Sequence, residues 1–193
     1  MVDLPQLFSG ICGQHLEHTW APGGIWLPLC QRCTGLYTGA GVAALLLFWL
    51  KPRPTRGFLA THGGFLLLMV PFGFHWVPQG PALRAITGLL FGCGVTAFLW
   101  LPLNQSGTAE PSAKYLDSIG WIQRLRPYAL VLGVSLLLVT LLGAYGGRIA
   151  AEALTVQVCC SAVVLTMLVL ANAWLGVMGA IKMVAPSTQA HTR

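Results

Sequence analysis

Five stretches of this chain, residues 33–50, 57–77, 85–103, 127–147 and 154–181, contain no Asp, Glu, Lys or Arg. That pattern constrains the fold most, because one helical crossing of a hydrocarbon layer needs about 20 predominantly apolar residues. Of the 193 residues, 55% are hydrophobic and 8% charged, roughly a third of the charged fraction of a soluble domain. The composition excludes a soluble enzyme and intrinsic disorder, and predicts an all-α integral membrane helical bundle of about five transmembrane helices. Trp49, Trp76 and Trp100 stand at the ends of the first three stretches, where an amphipathic ring prefers the headgroup zone. The linkers KPRPTR and PQGP read as turns, and NQSGTAEPSAKYLDS as a longer polar connection. The chain divides into a cysteine- and histidine-containing N-terminal cap (1–32), a bundle (33–182) and a polar tail (183–193). MVDLPQLFSG lacks the basic region and apolar run of a secretory signal.

Orientation follows from the cations, because loops rich in Lys and Arg stay cytoplasmic. With the N-terminus extracytoplasmic, Lys51, Arg53, Arg56, Lys114, Arg124, Arg126, Lys182 and Arg193 fall inside, and Arg32, Arg84 and Arg148 outside. The expected location is the cell membrane, multi-pass, with the C-terminus cytoplasmic. The net charge of +6 is then topology and affinity for anionic lipid. No basic run interleaved with aromatics suggests nucleic acid. Gly35 and Gly39, and Gly88 and Gly92, form two GxxxG patterns that let helix backbones approach closely in lipid. Packing within one chain is the first reading, and a homo-oligomer through these patterns the second.

The cap carries the chemistry. Cys12, His15, Cys30 and Cys33 fall as C-x2-H, fourteen intervening residues, then C-x2-C. Two such pairs suit a tetrahedral Cys3His zinc site, because each short turn presents two soft ligands to one ion. His18, three residues from His15, is the substitute fourth ligand. The alternative is a membrane thiol–disulfide oxidoreductase using Cys30 and Cys33, with quinone as its cofactor. CxxC has redox-motif spacing, and a helix N-terminus and Arg32 would favour a thiolate. A third reading makes the thiols small buried apolar groups.

The string PLCQRCTGLYTG, with the upstream CGQ, resembles the signature of an uncharacterised family of small bacterial and archaeal predicted membrane proteins. Its members read Cys-His-Gln, then Arg-Ser-Phe, then Pro-Leu-Cys-x-Arg-Cys-Thr-Gly-x-Tyr-x-Gly. Cys12, Gln14, Pro28, Leu29, Cys30, Arg32, Cys33, Thr34, Gly35, Tyr37 and Gly39 match. LRAITGLL, at 83–90, is similar to the family's Leu-Arg-x-x-Thr-Gly-Leu-Leu. The resemblance covers about residues 12–100 and implies an integral membrane protein with a cysteine site, but no established reaction. Gly13 stands where the family has His, and His18-Thr19-Trp20 where it has Arg-Ser-Phe. An imidazole ligand would therefore have to come from His15 or His18. Phe74 and His75 stand where the family has an Asp near the end of the second helix.

Arg84, at the start of the third stretch, either snorkels to the headgroups or, with Arg32, binds an anion or substrate near the cysteines. His75 could join either site. His62 falls on the far side of the bilayer from the cysteines and is a weak candidate for function. Cys93, Cys159 and Cys160 read as lipid-facing or packing residues. No carboxylate falls within the five stretches, which argues against a proton-coupled transporter. No internal repeat is evident, so alternating access has no support.

Overall fold

The computed structural model describes residues 4–52, 55–74, 76–105 and 118–184. The sequence expectations that fall on His75, Arg53, Lys114 and Arg193 lie outside the described residues. Among the described residues, six α-helices follow one another: α1 (Leu4–Phe8), α2 (Gln31–Leu50), α3 (Arg56–Gly73), α4 (Pro81–Gln105), α5 (Ser118–Tyr145) and α6 (Arg148–Val184). The segment between α1 and α2 holds two single 3-10 turns, Leu16–His18 and Pro22–Gly24. Local chemistry fixes several boundaries. Lys51 takes a left-handed conformation that closes α2, just before Pro52. Thr55 caps α3 by accepting a hydrogen bond from the Phe58 amide, and Pro81 opens α4, where its missing N–H has no cost.

The long helices coincide with the five charge-free stretches, extended mainly at their ends. Four are long and apolar enough to cross a membrane: Gln31–Leu50, Pro81–Asn104, Tyr128–Tyr145 and Arg148–Ile181. The fifth, α3, has 18 residues and includes Arg56 and His62, which lower its hydropathy. Its direction follows from topology, since its neighbours α2 and α4 run parallel to each other and α3 joins the end of one to the start of the other. A carbon added at Gly35 or Gly39 would run into the Ala85 or Leu89 carbonyl oxygen, and one at Gly88 or Gly92 into those of Arg32 and Leu36. Low numbers pair with low and high with high, so α3 must traverse the bundle in return.

Both GxxxG faces are thus turned toward each other within one chain, in line with the first reading of them. The contact is reciprocal: one numerical shift carries Gly35 onto Gly88, Gly39 onto Gly92, Arg32 onto Ala85 and Leu36 onto Leu89. The sequence carries the same relation, since Thr-Gly-Leu-x-x-Gly-x-Gly-Val occurs at 34–42 and again at 87–95. This corrects the expectation that the chain has no internal repeat. The copies are short and lie inside helices otherwise dissimilar, which hides them in a search for longer repeats.

Around this pair, Ala43, Leu47, Phe58, Leu89, Cys93 and Leu132 belong to one buried cluster. Cys93 is packed inside, its thiol 3.3 Å from the Gly39 carbonyl. His62 is fully buried, with Nδ1 2.9 Å from the Phe58 carbonyl and Nε2 2.9 Å from the Tyr128 hydroxyl. A carbonyl only accepts, so Nδ1 carries the proton and Tyr128 donates to Nε2. Side chains also join α6 to the pair: Thr38 Oγ1 lies 2.9 Å from Gln157 Oε1, and Asn172 donates to the Leu99 carbonyl at 2.7 Å. The 37 residues of α6 extend about 55 Å at 1.5 Å each, so it tilts or emerges from a layer about 30 Å thick.

The helix contact gives a direct test. Gly39→Ala places a methyl against backbone and should destabilise the detergent-solubilised protein by about 1–3 kcal/mol in thermal unfolding. Gly63, with nothing within 4 Å of an added carbon, should become Ala with no loss, or a gain of up to about 1 kcal/mol. Equal effects at the two positions would contradict the packing.

Candidate metal centre

Parallel α2 and α4 bring their N-termini to the same end of the bundle, and the N-terminal segment folds over that end. Trp20, Leu27, Ala85, Val139, Ala151 and Leu154 form a buried cluster that seats the segment on α4, α5 and α6. A second cluster of Phe8, Cys12, Leu29 and Val158 lies to the side, with Cys30, Cys33, Tyr37 and Cys159 packed against it.

Here the three cap cysteines converge. The sulfurs of Cys12, Cys30 and Cys33 lie within 4.8 Å of one another, and all three thiols are free. Cys30 is the N-cap of α2 and Cys33 the third residue inside it, so one helical turn presents both. Cys12 arrives from the far side, buried to 4% exposure, and accepts a hydrogen bond from the Cys30 amide at 3.4 Å. Gln14 has a φ of 46°, uncommon for a residue with a side chain. Its amide nitrogen donates to Pro5 and Pro28 carbonyls at 2.5 and 3.0 Å, tying the α1 arm to the segment that leads into α2.

The thiols share protons unequally. Hydrogen bonds from the Cys30 and Cys33 thiols, and from the Cys30 and Gln14 backbone, pull Cys12 down to about 2 against the opposing effect of burial. Cys30 is pushed up, chiefly because its proton is held toward Cys12. The α2 N-terminus adds a partial positive charge.

Arg32 donates to the Phe72 carbonyl at 3.1 Å and to Gln79 Oε1 at 2.7 Å, while its buried Nε has no partner. Arg84 instead meets His18 Nδ1, whose other ring nitrogen lies 3.5 Å from Glu17. The two arginines thus engage different segments, one the end of α3 and the other the cap.

Neither histidine joins the sulfur cluster among the described residues. His18 is held by Arg84. His15 is exposed, and its ring folds back over Gly13, where an added carbon would lie 3.3 Å from Nε2. Tyr37, one turn beyond Cys33, packs against Phe8 with ring centroids 6.1 Å apart and the rings tilted by 60°. Cys159 packs beside the site and Cys160 is exposed. Sequence reasoning did not single out Tyr128, the partner of His62, because that pairing joins residues 66 positions apart.

The depressed Cys12 predicts a spectroscopic signature. A group whose folded value is lowered keeps its charge as pH falls, so reduced, metal-free protein should retain one thiolate per chain in the ultraviolet well below about 8.5, the usual thiol value. Cys12→Ser should remove it. Loss of all thiolate absorbance in the ordinary thiol range would contradict the arrangement.

The profile of the predicted membrane protein family DUF2085 matches residues 12–98. That span begins at Cys12 and takes in Cys30, Cys33 and both glycine faces. An uncharacterised protein of Methanothermobacter thermautotrophicus is 34% identical over 95 residues, which cover 46% of this chain and 83% of the archaeal one. No solved structure matches the chain. With so large a share of that relative covered and the family's own profile matching the cysteine and glycine segments, the chain belongs to the DUF2085 family of predicted membrane proteins.

Proposed function

We propose that this multi-pass membrane protein holds one soft metal ion, zinc by its ligand set, between the thiolates of Cys12, Cys30 and Cys33 at its extracytoplasmic face. The observation that carries the reading is the meeting of three free sulfurs from separate positions within 4.8 Å. Zinc–sulfur bonds of about 2.3 Å place tetrahedral sulfurs nearly 4 Å apart, so modest contraction would complete the site. The α2 N-terminus offsets part of the negative charge that thiolates bring.

His15 is the favoured fourth ligand. The family resemblance puts a histidine at position 13, and here Gly13 leaves that space to the His15 ring. His18 is the weaker choice because Arg84 already occupies its Nδ1. Three thiolates and an imidazole make a closed, structural site, one that staples the α1 arm to α2. Extracytoplasmic placement rests on the cations: Lys51, Arg56, Arg124, Arg126 and Lys182 belong to the opposite end of the helices from Arg32, Arg84 and Arg148, and positive loops stay inside.

A thiol–disulfide reading through Cys30 and Cys33 leaves Cys12 without a task, and the depressed thiol would be expected within the CxxC pair. Elemental analysis beside thiol alkylation separates the two. The metal reading expects one metal per detergent-purified chain, lost in Cys30→Ser and Cys12→Ser and kept in Cys160→Ser. Binding should strengthen with rising pH, because Cys30 must give up its proton. A metal-free chain with a Cys30–Cys33 disulfide would overturn it in favour of the redox pair.

A further inference from the structure

The α1 arm lies beside the bundle and not above it. Phe8 packs on Tyr37 and Val158, each six residues along its helix from a polar residue of the first turns, Gln31 on α2 and Glu152 on α6. Six residues at 1.5 Å each are about 9 Å. The Gln31–Leu50 helix has the 20 residues of one crossing, so its first residues stand at the edge of the hydrocarbon, and Tyr37 lies about 9 Å inside. The exposed Arg148–Glu152 ion pair marks the same boundary on α6.

The arm's composition agrees with that depth. Residues 4–31 carry one formal charge, Glu17, which a water-facing cap of this length would not tolerate. Phe8 and Cys12 turn inward, while Leu7 and Ile11, one turn apart, are 64% and 63% exposed. Trp26, 53% exposed, lines a shallow cleft with Pro5 and Val156, and Val156 belongs to the outward apolar surface of α6. Glu152 and Thr155 line the polar end of that cleft, and the apolar face of the arm adjoins the outward surface of α6 beyond them.

We propose that residues 4–12, with Ile25 and Trp26, are embedded in the outer part of one leaflet, where Leu7, Ile11 and Trp26 contact lipid acyl chains. The partner of this face is the lipid itself, at the depth of about 5–10 Å usual for interfacial amphipathic segments. The sulfur cluster then sits at the headgroup–acyl boundary, whether or not it holds a metal.

The full chain, reconstituted in vesicles of phosphatidylethanolamine and phosphatidylglycerol, tests this with the photo-cross-linker p-benzoylphenylalanine at position 7, 11 or 26. Phospholipid-mass adducts should form at each, several-fold above those with the same group at Glu17. Adducts to a second copy of the chain would overturn the proposal by making the face a protein interface, and yields no higher than at Glu17 would overturn it by placing the face in water. A readout with native side chains at the arm uses lipids brominated in the upper acyl chain. These should quench the fluorescence component removed by Trp26→Phe, and absence of quenching would count against embedding.

Discussion

Two parallel helix backbones in direct contact govern the rest of this structure. Between lipid-exposed helices there is no hydrophobic drive, so association relies on close packing and polar contacts. Gly35, Gly39, Gly88 and Gly92 allow carbonyl oxygens of each helix to meet Cα–H groups of the other, a weak but repeated attraction. Parallel pairing forces α3 to return across the bundle. It also sets two helix N-termini side by side at one end, and that end is where the cysteines gather.

Polar side chains fix the remaining helices. The His62–Tyr128 hydrogen bond joins α3 to α5, Thr38 meets Gln157 on α6, and Asn172 reaches the Leu99 carbonyl on α4. Each group would be costly to leave unpaired in hydrocarbon, so each defines a depth and a rotation for its helix. The absence of carboxylates from the five charge-free stretches fits this economy, since hydroxyls, amides and one neutral imidazole suffice to specify the arrangement.

Much of this was legible in the sequence. Missing charges marked the helices because the energetic cost of charge in lipid is large and local. The spacing of Cys12, Cys30 and Cys33 foretold a cluster because a CxxC at a helix start presents two sulfurs together. Less was legible where geometry decides. Arg32 and Arg84 share an end of the bundle but turn to different neighbours, a matter of helix rotation that charge counting does not carry. The choice between His15 and His18 depends on the room left at Gly13 and on a guanidinium from α4. The five-residue α1 is too short for periodicity to reveal, and its placement beside the bundle comes from Phe8 meeting Tyr37.

The central claim is that three thiolates from two chain segments close on one ion. X-ray absorption at the zinc edge of the metal-loaded, detergent-purified protein counts the ligands directly. The account predicts three sulfur neighbours at about 2.3 Å and one nitrogen at about 2.0 Å. A shell of nitrogen and oxygen alone, or a chain that takes up no zinc when its thiols are reduced, would contradict it.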